Sequence, residues 1–236
     1  MKNQKLKKYS ELNENEEIYR YLKFSQFMAM IETKSTYFSI VSSWDDPWEN
    51  VFSKLPKYNE KLDEQISIDN EEYMYGQCWS LTSESDALWR IYSPYSEGVV
   101  IKSRVSKLSN INGYNRAAVG KVEYFSDLAK IDLAKYGGIK GYLLKRKAFK
   151  HEEEVRLLVD YHFMVNKEKE DYIQFDIDIN NFIEEVIIDP RASKWFEDMV
   201  ILYCNSKGIS KVYKSKLYDV NVYETTGLAI VYRTVE

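Results

Sequence analysis

Apolar and polar positions change their period several times along the chain, and each change marks an element. From Glu16 the segment EIYRYLKF alternates every second residue, as a half-buried strand does. Ser25 then stands as the cap of a short helix in which Phe27, Met30 and Ile31 share a face. TYFSIV is a second strand. In SSWDDPWENVFSKL, Asp46 has the place of an N-cap and Pro47 the first helical position, ahead of an apolar stripe of Trp48, Val51, Phe52 and Leu55. Residues 56–75 are polar and mixed, a loop or short helix leading into the strand YGQCWSL. TSESDALWRIY reads as a capped helix with Leu88 and Tyr92 on one face and Trp89 beside them, stopped by Pro94.

Gly98 opens the strand VVIKS, another strand runs near AAVGKVEYF, and 126–149 is mostly helical, broken at Gly137, Gly138 and Gly141. EEEVRLLVDYHF is a further strand. The tail EEVIIDPRASKWFEDMVILYCNSKGISKVYKSKLYDV reads as a strand, a helix from Pro190 to Gly208, and a second strand. Residues 1–15 lack any period and read as a flexible leader. The expectation is one mixed α+β domain over 16–176, extended by a strand-helix-strand segment over 177–236, with no internal repeat and no linker.

Composition narrows the function classes. The 236 residues are 44% hydrophobic and 30% charged, which excludes a disordered chain, a collagen or a coiled coil. A net charge of −4 gives no global attraction to nucleic acid or an anionic membrane. Two cysteines and two histidines are too few for a disulfide framework or a Cys/His zinc site, so the chain reads as a protein of a reducing compartment. With no apolar signal region after the basic N-terminus and no apolar run near 18 residues, the expected location is cytoplasmic, with no membrane partner. Aromatic residues are 15% of the chain, enough for a dense core or a ring-binding cleft.

No phosphate-binding loop, dinucleotide fingerprint, nucleophile elbow or H-E-x-x-H helix is present, so any catalysis falls to carboxylates and arginines. In the run Lys150-His151-Glu152-Glu153-Glu154-Val155-Arg156, a period of two places Glu152, Glu154 and Arg156 on one face, where a carboxylate can stabilise a cationic transition state or bind a ribose hydroxyl. A solvated strand edge is the plainer alternative. Arg20 projects opposite Tyr19 and Tyr21 and could grip a phosphate, or could be an ordinary surface arginine. Cys78-Trp79-Ser80 with Trp89 and Tyr92 could orient and stack a ligand ring, or could be core.

Taken in order, Tyr19-Arg20-Tyr21, Asp45-Asp46-Pro47-Trp48-Glu49, Cys78-Trp79-Ser80, Trp89-Arg90-Ile91-Tyr92, Gly98-Val99-Val100-Ile101 and Glu152-Glu153-Glu154-Val155-Arg156 resemble a large bacterial domain-of-unknown-function family. Its pattern is an aromatic and basic first strand, then Asn-Asp-Pro-Phe-Glu, Cys-Phe-Ser, Met-Trp-x-x-Tyr with a Gly-led strand, and Trp-x-x-Glu-x-Glu-x-Arg. The match covers roughly 17–160. Asp45, Trp48, Trp79, Leu88 and Val155 depart from the usual residues without removing a polar group.

That layout is in turn similar to the ADP-ribosyltransferase superfamily. The resemblance implies a split central β-sheet flanked by helices and NAD as substrate, with no metal. It also implies a protein or nucleic-acid acceptor and the role of a phage-defence or toxin effector. It casts Glu154, Glu152 and Ser80 as catalytic: Glu154 on the 2′-hydroxyl of the nicotinamide ribose, Glu152 as the first acid, and Ser80 orienting that ribose. It casts Arg20, Tyr21, Trp89, Tyr92 and Arg156 as NAD-binding, Arg20 on the diphosphate or adenine ribose. Ser80-Leu81-Thr82-Ser83 departs from the Ser-Thr-Ser of the superfamily's middle strand. The alternative is a non-catalytic nucleotide- or RNA-binding module of a defence system, in which the acids only pair arginines. A metal-dependent nuclease using Asp45, Asp46 and Glu154 is disfavoured, because Arg156 stands where such enzymes need a proton-transferring lysine.

Overall fold

A computed structural model describes residues 5–46, 48, 57–59, 64–66, 73–114, 116–161, 170–220, 227 and 230. Its strands are β1 (Lys5–Tyr9), β2 (Glu17–Lys23), β3 (Ser35–Ile40), β4 (Lys57–Asn59), β5 (Glu64–Ile66), β6 (Met74–Ser80) and β7 (Gly98–Arg104). They continue with β8 (Arg116–Lys121), β9 (Glu123–Phe125), β10 (Leu144–Arg146), β11 (Glu154–Asp160), β12 (Tyr172–Asp176), β13 (Glu185–Ile188) and β14 (Val212–Lys214). The α-helices are α1 (Phe24–Thr33), α2 (Asp86–Tyr92), α3 (Ile179–Phe182) and α4 (Lys194–Ser206).

Ten strands join one mixed sheet in the order β1-β8-β11-β6-β2-β7-β13-β14, with β3 and β12 branching from β6. The branch makes the sheet split. Tyr75 and Gly76 of β6 pair with Ile40 and Ser39 of β3, whereas Ser80 at the far end of β6 pairs with Tyr19 of β2. Between these points β2 and β3 diverge, and side chains take over from the missing ladder. Arg20 donates to Thr36 Oγ1 (3.1 Å) and to the Tyr37 carbonyl (3.2 Å), and Gln77 Nε2 donates to the same two acceptors at 2.6 and 2.7 Å.

The pleat sorts side chains to two faces. Ile18 and Leu22 of β2, Tyr75 and Trp79 of β6, Val99 and Ile101 of β7, and Val155, Leu157 and Val159 of β11 enter the main core with α1 and α4. The alternate residues face the other way: Tyr19 and Val100 pack on Trp89 of α2, and Leu158 packs with Val41, Tyr142 and Leu143. The expected α+β class with a large sheet flanked by helices is observed. The tail completes the sheet, because β13 pairs antiparallel with β7, and β14 pairs parallel with β13.

Several local expectations are corrected. Lys5–Tyr9, read as part of a flexible leader, is a strand in parallel register with Arg116–Gly120. Its pairing uses backbone groups, so it needs no apolar alternation, and lysines are common on such an edge. Ser25 lies inside α1; the cap position is Lys23, whose N–H donates to Gln26 Oε1 at 3.1 Å. The segment 126–149 holds short 3₁₀ turns rather than α-helix, with Gly138 at φ +61. Pro190 sits in a turn whose following N–H, that of Arg191, is taken by the Asp189 carboxylate at 2.8 Å, and α4 starts only at Lys194. Where described, 56–75 contains the β4–β5 hairpin. The helix expected after Asp46 lies outside the described residues, although Asp46 does accept the Trp48 N–H at 3.1 Å.

Candidate active site

On the face opposite the main core, Ser80 ends β6 directly across from Glu154, which begins β11, while Cys78 stands across from Arg156. β11 lies between β6 and β8. The acid-rich run is therefore not a solvated edge: Glu154 is 3% exposed, Glu152 8% and Arg156 0%. A cleft of about 340 Å³, open mouth included, is floored by Ser80, Cys78, Glu152 and Glu154 and walled by Tyr21, Leu88 and Tyr92.

Glu154 is held from several sides. Arg156 grips it bidentately, Nε to Oε1 and Nη2 to Oε2, both at 2.9 Å, and Lys145 Nζ reaches Oε2 at 3.2 Å. Burial pushes the Glu154 carboxyl up, but the Arg156 charge and hydrogen bond, then Lys145 and a hydrogen bond from the Cys78 thiol, outweigh it and hold the group at about 2. Its backbone N–H donates to Tyr124 Oη at 2.8 Å.

Glu152 reaches the cleft by another route. It is the last residue of a 3₁₀ turn, and Glu153 follows in the left-handed region at φ +41, so strand periodicity does not extend to it. Glu153 is locked there by its carbonyl, which accepts the Leu81 N–H at 2.9 Å, and by its side chain, which accepts the Thr82 hydroxyl at 2.9 Å. Two anchors then fix Glu152: Ser80 Oγ donates to its carbonyl at 2.7 Å, and Lys145 Nζ donates to Oε2 at 2.6 Å. Its carboxyl is shifted upward, burial outweighing the Lys145 charge. Neighbouring carboxyls displaced in opposite directions are the arrangement by which one site holds an ionised group beside a proton-exchanging one.

Arg156 lies beneath this floor. Besides Glu154 it donates Nη1 to the Tyr142 carbonyl at 2.7 Å, and its guanidinium lies 4.5 Å from the centre of the Trp44 ring. Trp44 can cover it only because position 76 has no side chain: a Cβ on Gly76 would stand 2.7 Å from Trp44 Cζ2 and 3.0 Å from Leu158 Cδ2. Gly76→Ala is therefore expected to lower stability by about 1–3 kcal/mol through overpacking, read from urea denaturation. Ser80→Ala removes partners from two backbone groups, the Glu152 carbonyl and the Thr82 N–H at 3.0 Å. In the same experiment it should cost about 1–3 kcal/mol.

Of the residues singled out by sequence, Ser80, Glu152, Glu154, Tyr21 and Tyr92 meet in the cleft. Arg156 is fully buried behind Glu154, and Trp89 is fully buried behind Tyr21, ring centres 5.0 Å apart at 74°. Neither presents itself to a ligand as the resemblance implied. Arg20 is on the far face of β2, bound across the split, because the same period that sets it opposite Tyr21 removes it from the cleft. Cys78, singled out within Cys78-Trp79-Ser80, also lines the cleft, and Lys145 and Tyr124 join the site without having been singled out for it. Asp46 is engaged by Arg146 through contacts of 2.8 and 3.2 Å. Among the described residues no group of three or more His, Cys, Asp or Glu is placed to hold a metal ion, and no helix is long and apolar enough to cross a membrane.

No protein-family model matches the chain, and no curated protein matches it. Solved structures to which the chain is similar include two of one protein. One is Thermus sp. 2.9 DarT in complex with NAD+, at 13% identity and a TM-score of 0.42, over 87% of this chain and 98% of that one. The other is Thermus sp. 2.9 DarT in complex with ADP-ribosylated ssDNA, at 12% identity and a TM-score of 0.41, over 87% of this chain and 96% of that one.

Proposed function

We propose that this chain cleaves NAD at the bond between nicotinamide and ribose and passes ADP-ribose to water or to a protein or nucleic-acid acceptor. The observation that carries this reading is the ionised Glu154, buried at the floor of a cleft with aromatic walls and paired with a second carboxyl shifted the opposite way. As the C1′–N bond breaks, nicotinamide leaves with the bonding pair and positive charge develops on the ribose. A fixed carboxylate in a water-poor site stabilises that charge more than it stabilises the ground state. An ionised carboxylate offers about four acceptor sites, and Arg156, Lys145 and Cys78 take them in the free protein. The thiol is the weakest of these donors, so it is the contact a ribose 2′-hydroxyl replaces.

The acceptor's oxygen or nitrogen then bonds to C1′, and its proton passes to the Glu152 carboxylate. Tyr21 and Tyr92, ring centres 6.0 Å apart and tilted by 33°, pack on each other and together form an aromatic wall of the cleft against which a flat ring lies. Ser80 acts through the Glu152 carbonyl, and Arg156 acts through Glu154; both are positioning residues. Arg20 ties β2 to β3 across the split on the face away from the cleft. Incubation with NAD labelled in its adenylate phosphate tests the reading. Label is expected in free ADP-ribose or in macromolecules added from a lysate; label that stays in NAD under both conditions contradicts it.

A further inference from the structure

Lys145 comes from the short strand β10, paired in parallel with β9 through Lys145↔Tyr124, and its side chain is 8% exposed. Its ammonium stands at 2.6 Å from Glu152 and 3.2 Å from Glu154, with the Phe149 ring centre 4.8 Å away. Its two acid partners are not equivalent. Glu154 has Arg156 on both oxygens and stays compensated without Lys145. Glu152 draws its charge-assisted hydrogen bond from Lys145 and sits on a segment that the strand ladder does not fix.

We propose that Lys145 is a positioning residue of the reaction, tying Glu152 to Glu154 so that the Glu152 carboxylate stands ionised at the cleft to take the acceptor's proton. The inference rests on the reading of this cleft as a site of NAD cleavage. The groups facing the Glu152–Lys145 contact are Glu154 and, behind it, Arg156 from β11, Tyr124 from β9, Tyr92 from α2, and the exposed His151 beside Glu152. Removing the ammonium leaves Glu152 with the same burial and the same repulsion from Glu154, so its protonated form gains. Glu154 keeps its guanidinium.

The test is the pH profile of nicotinamide release for the wild type, Lys145→Met and Lys145→Arg, with His151→Gln as a control for the neighbouring imidazole. The wild type loses activity as pH falls through the raised Glu152 titration. Lys145→Met is expected to move that acid limb to higher pH by about one unit or more, the usual effect of removing an opposite charge at this range, and Lys145→Arg to move it back. A Lys145→Met profile that superimposes on the wild type after scaling overturns the proposal and leaves Lys145 a structural contact. The second measurement is a carbon-13 carboxyl titration of Glu152 in the same folded proteins, which needs no turnover. An unmoved Glu152 midpoint in Lys145→Met overturns the proposal; a raised midpoint with no nicotinamide release from any protein overturns the NAD reading while leaving the Lys145–Glu152 coupling established. If Lys145→Met does not fold, Lys145→Gln takes its place in both.

Discussion

Glu154→Gln is expected to lower the rate of nicotinamide release at least about 100-fold, the usual loss when one preorganised electrostatic group is removed from a reacting centre. The argument rests on charge, because Gln preserves volume and one acceptor oxygen but cannot offset a developing cation. It also leaves Arg156 and Lys145 short of one negative charge in a buried setting, so the comparison needs circular dichroism and a denaturation curve on the same sample. Glu154→Asp, which keeps the charge but retracts it from Arg156, should retain more activity than Gln. Turnover unchanged in a folded Gln variant would place the chemistry elsewhere; ligand affinity unchanged or raised, with no turnover in either protein, is what a binding module shows.

The largest stability effect belongs to Arg156→Met. It leaves Glu154 as a buried carboxylate without its bidentate partner, strips a donor from the Tyr142 carbonyl and empties the space under Trp44. The expected cost at pH 7 is about 3–5 kcal/mol, read from urea denaturation. Its pH dependence has a definite sign. In the folded protein Glu154 sits at about 2, below its ordinary 4.5, so its contribution is present above about pH 4.5 and is lost as pH falls through about 2. The destabilisation by Arg156→Met should therefore shrink between pH 7 and pH 3. A cost that stays constant over that window would mean that lost packing, rather than the ion pair, is what the substitution removes.

Elements with both a period and a punctuation mark are readable from sequence. The helix α2 has Ser85 at its cap, accepting the Leu88 N–H, and Pro94 just past its end; β7 opens on its glycine. The central place of β11 is less legible, because its run of acids reads more plainly as a solvated edge. The signal against that edge is the unbroken run Leu157-Leu158-Val159 after the acids, which suits a strand covered on both faces. What sequence does not carry is contact across turns. Lys145 meets residues seven and nine positions on through a 3₁₀ turn, a geometry with no repeat to betray it. Glu152 reaches Glu154 even though the left-handed Glu153 breaks the strand alternation between them. The alternation of Tyr19, Arg20 and Tyr21 holds, but a strand's own sequence does not say which of its faces borders the cleft, and that decides the place of Arg20.

The most direct measurement is chromatographic detection of nicotinamide after the purified wild-type chain is mixed with NAD, with and without cell lysate as a source of acceptor. Release that depends on the protein, and that is faster when an acceptor is present, is the predicted result. A folded protein that releases no nicotinamide under either condition contradicts the account.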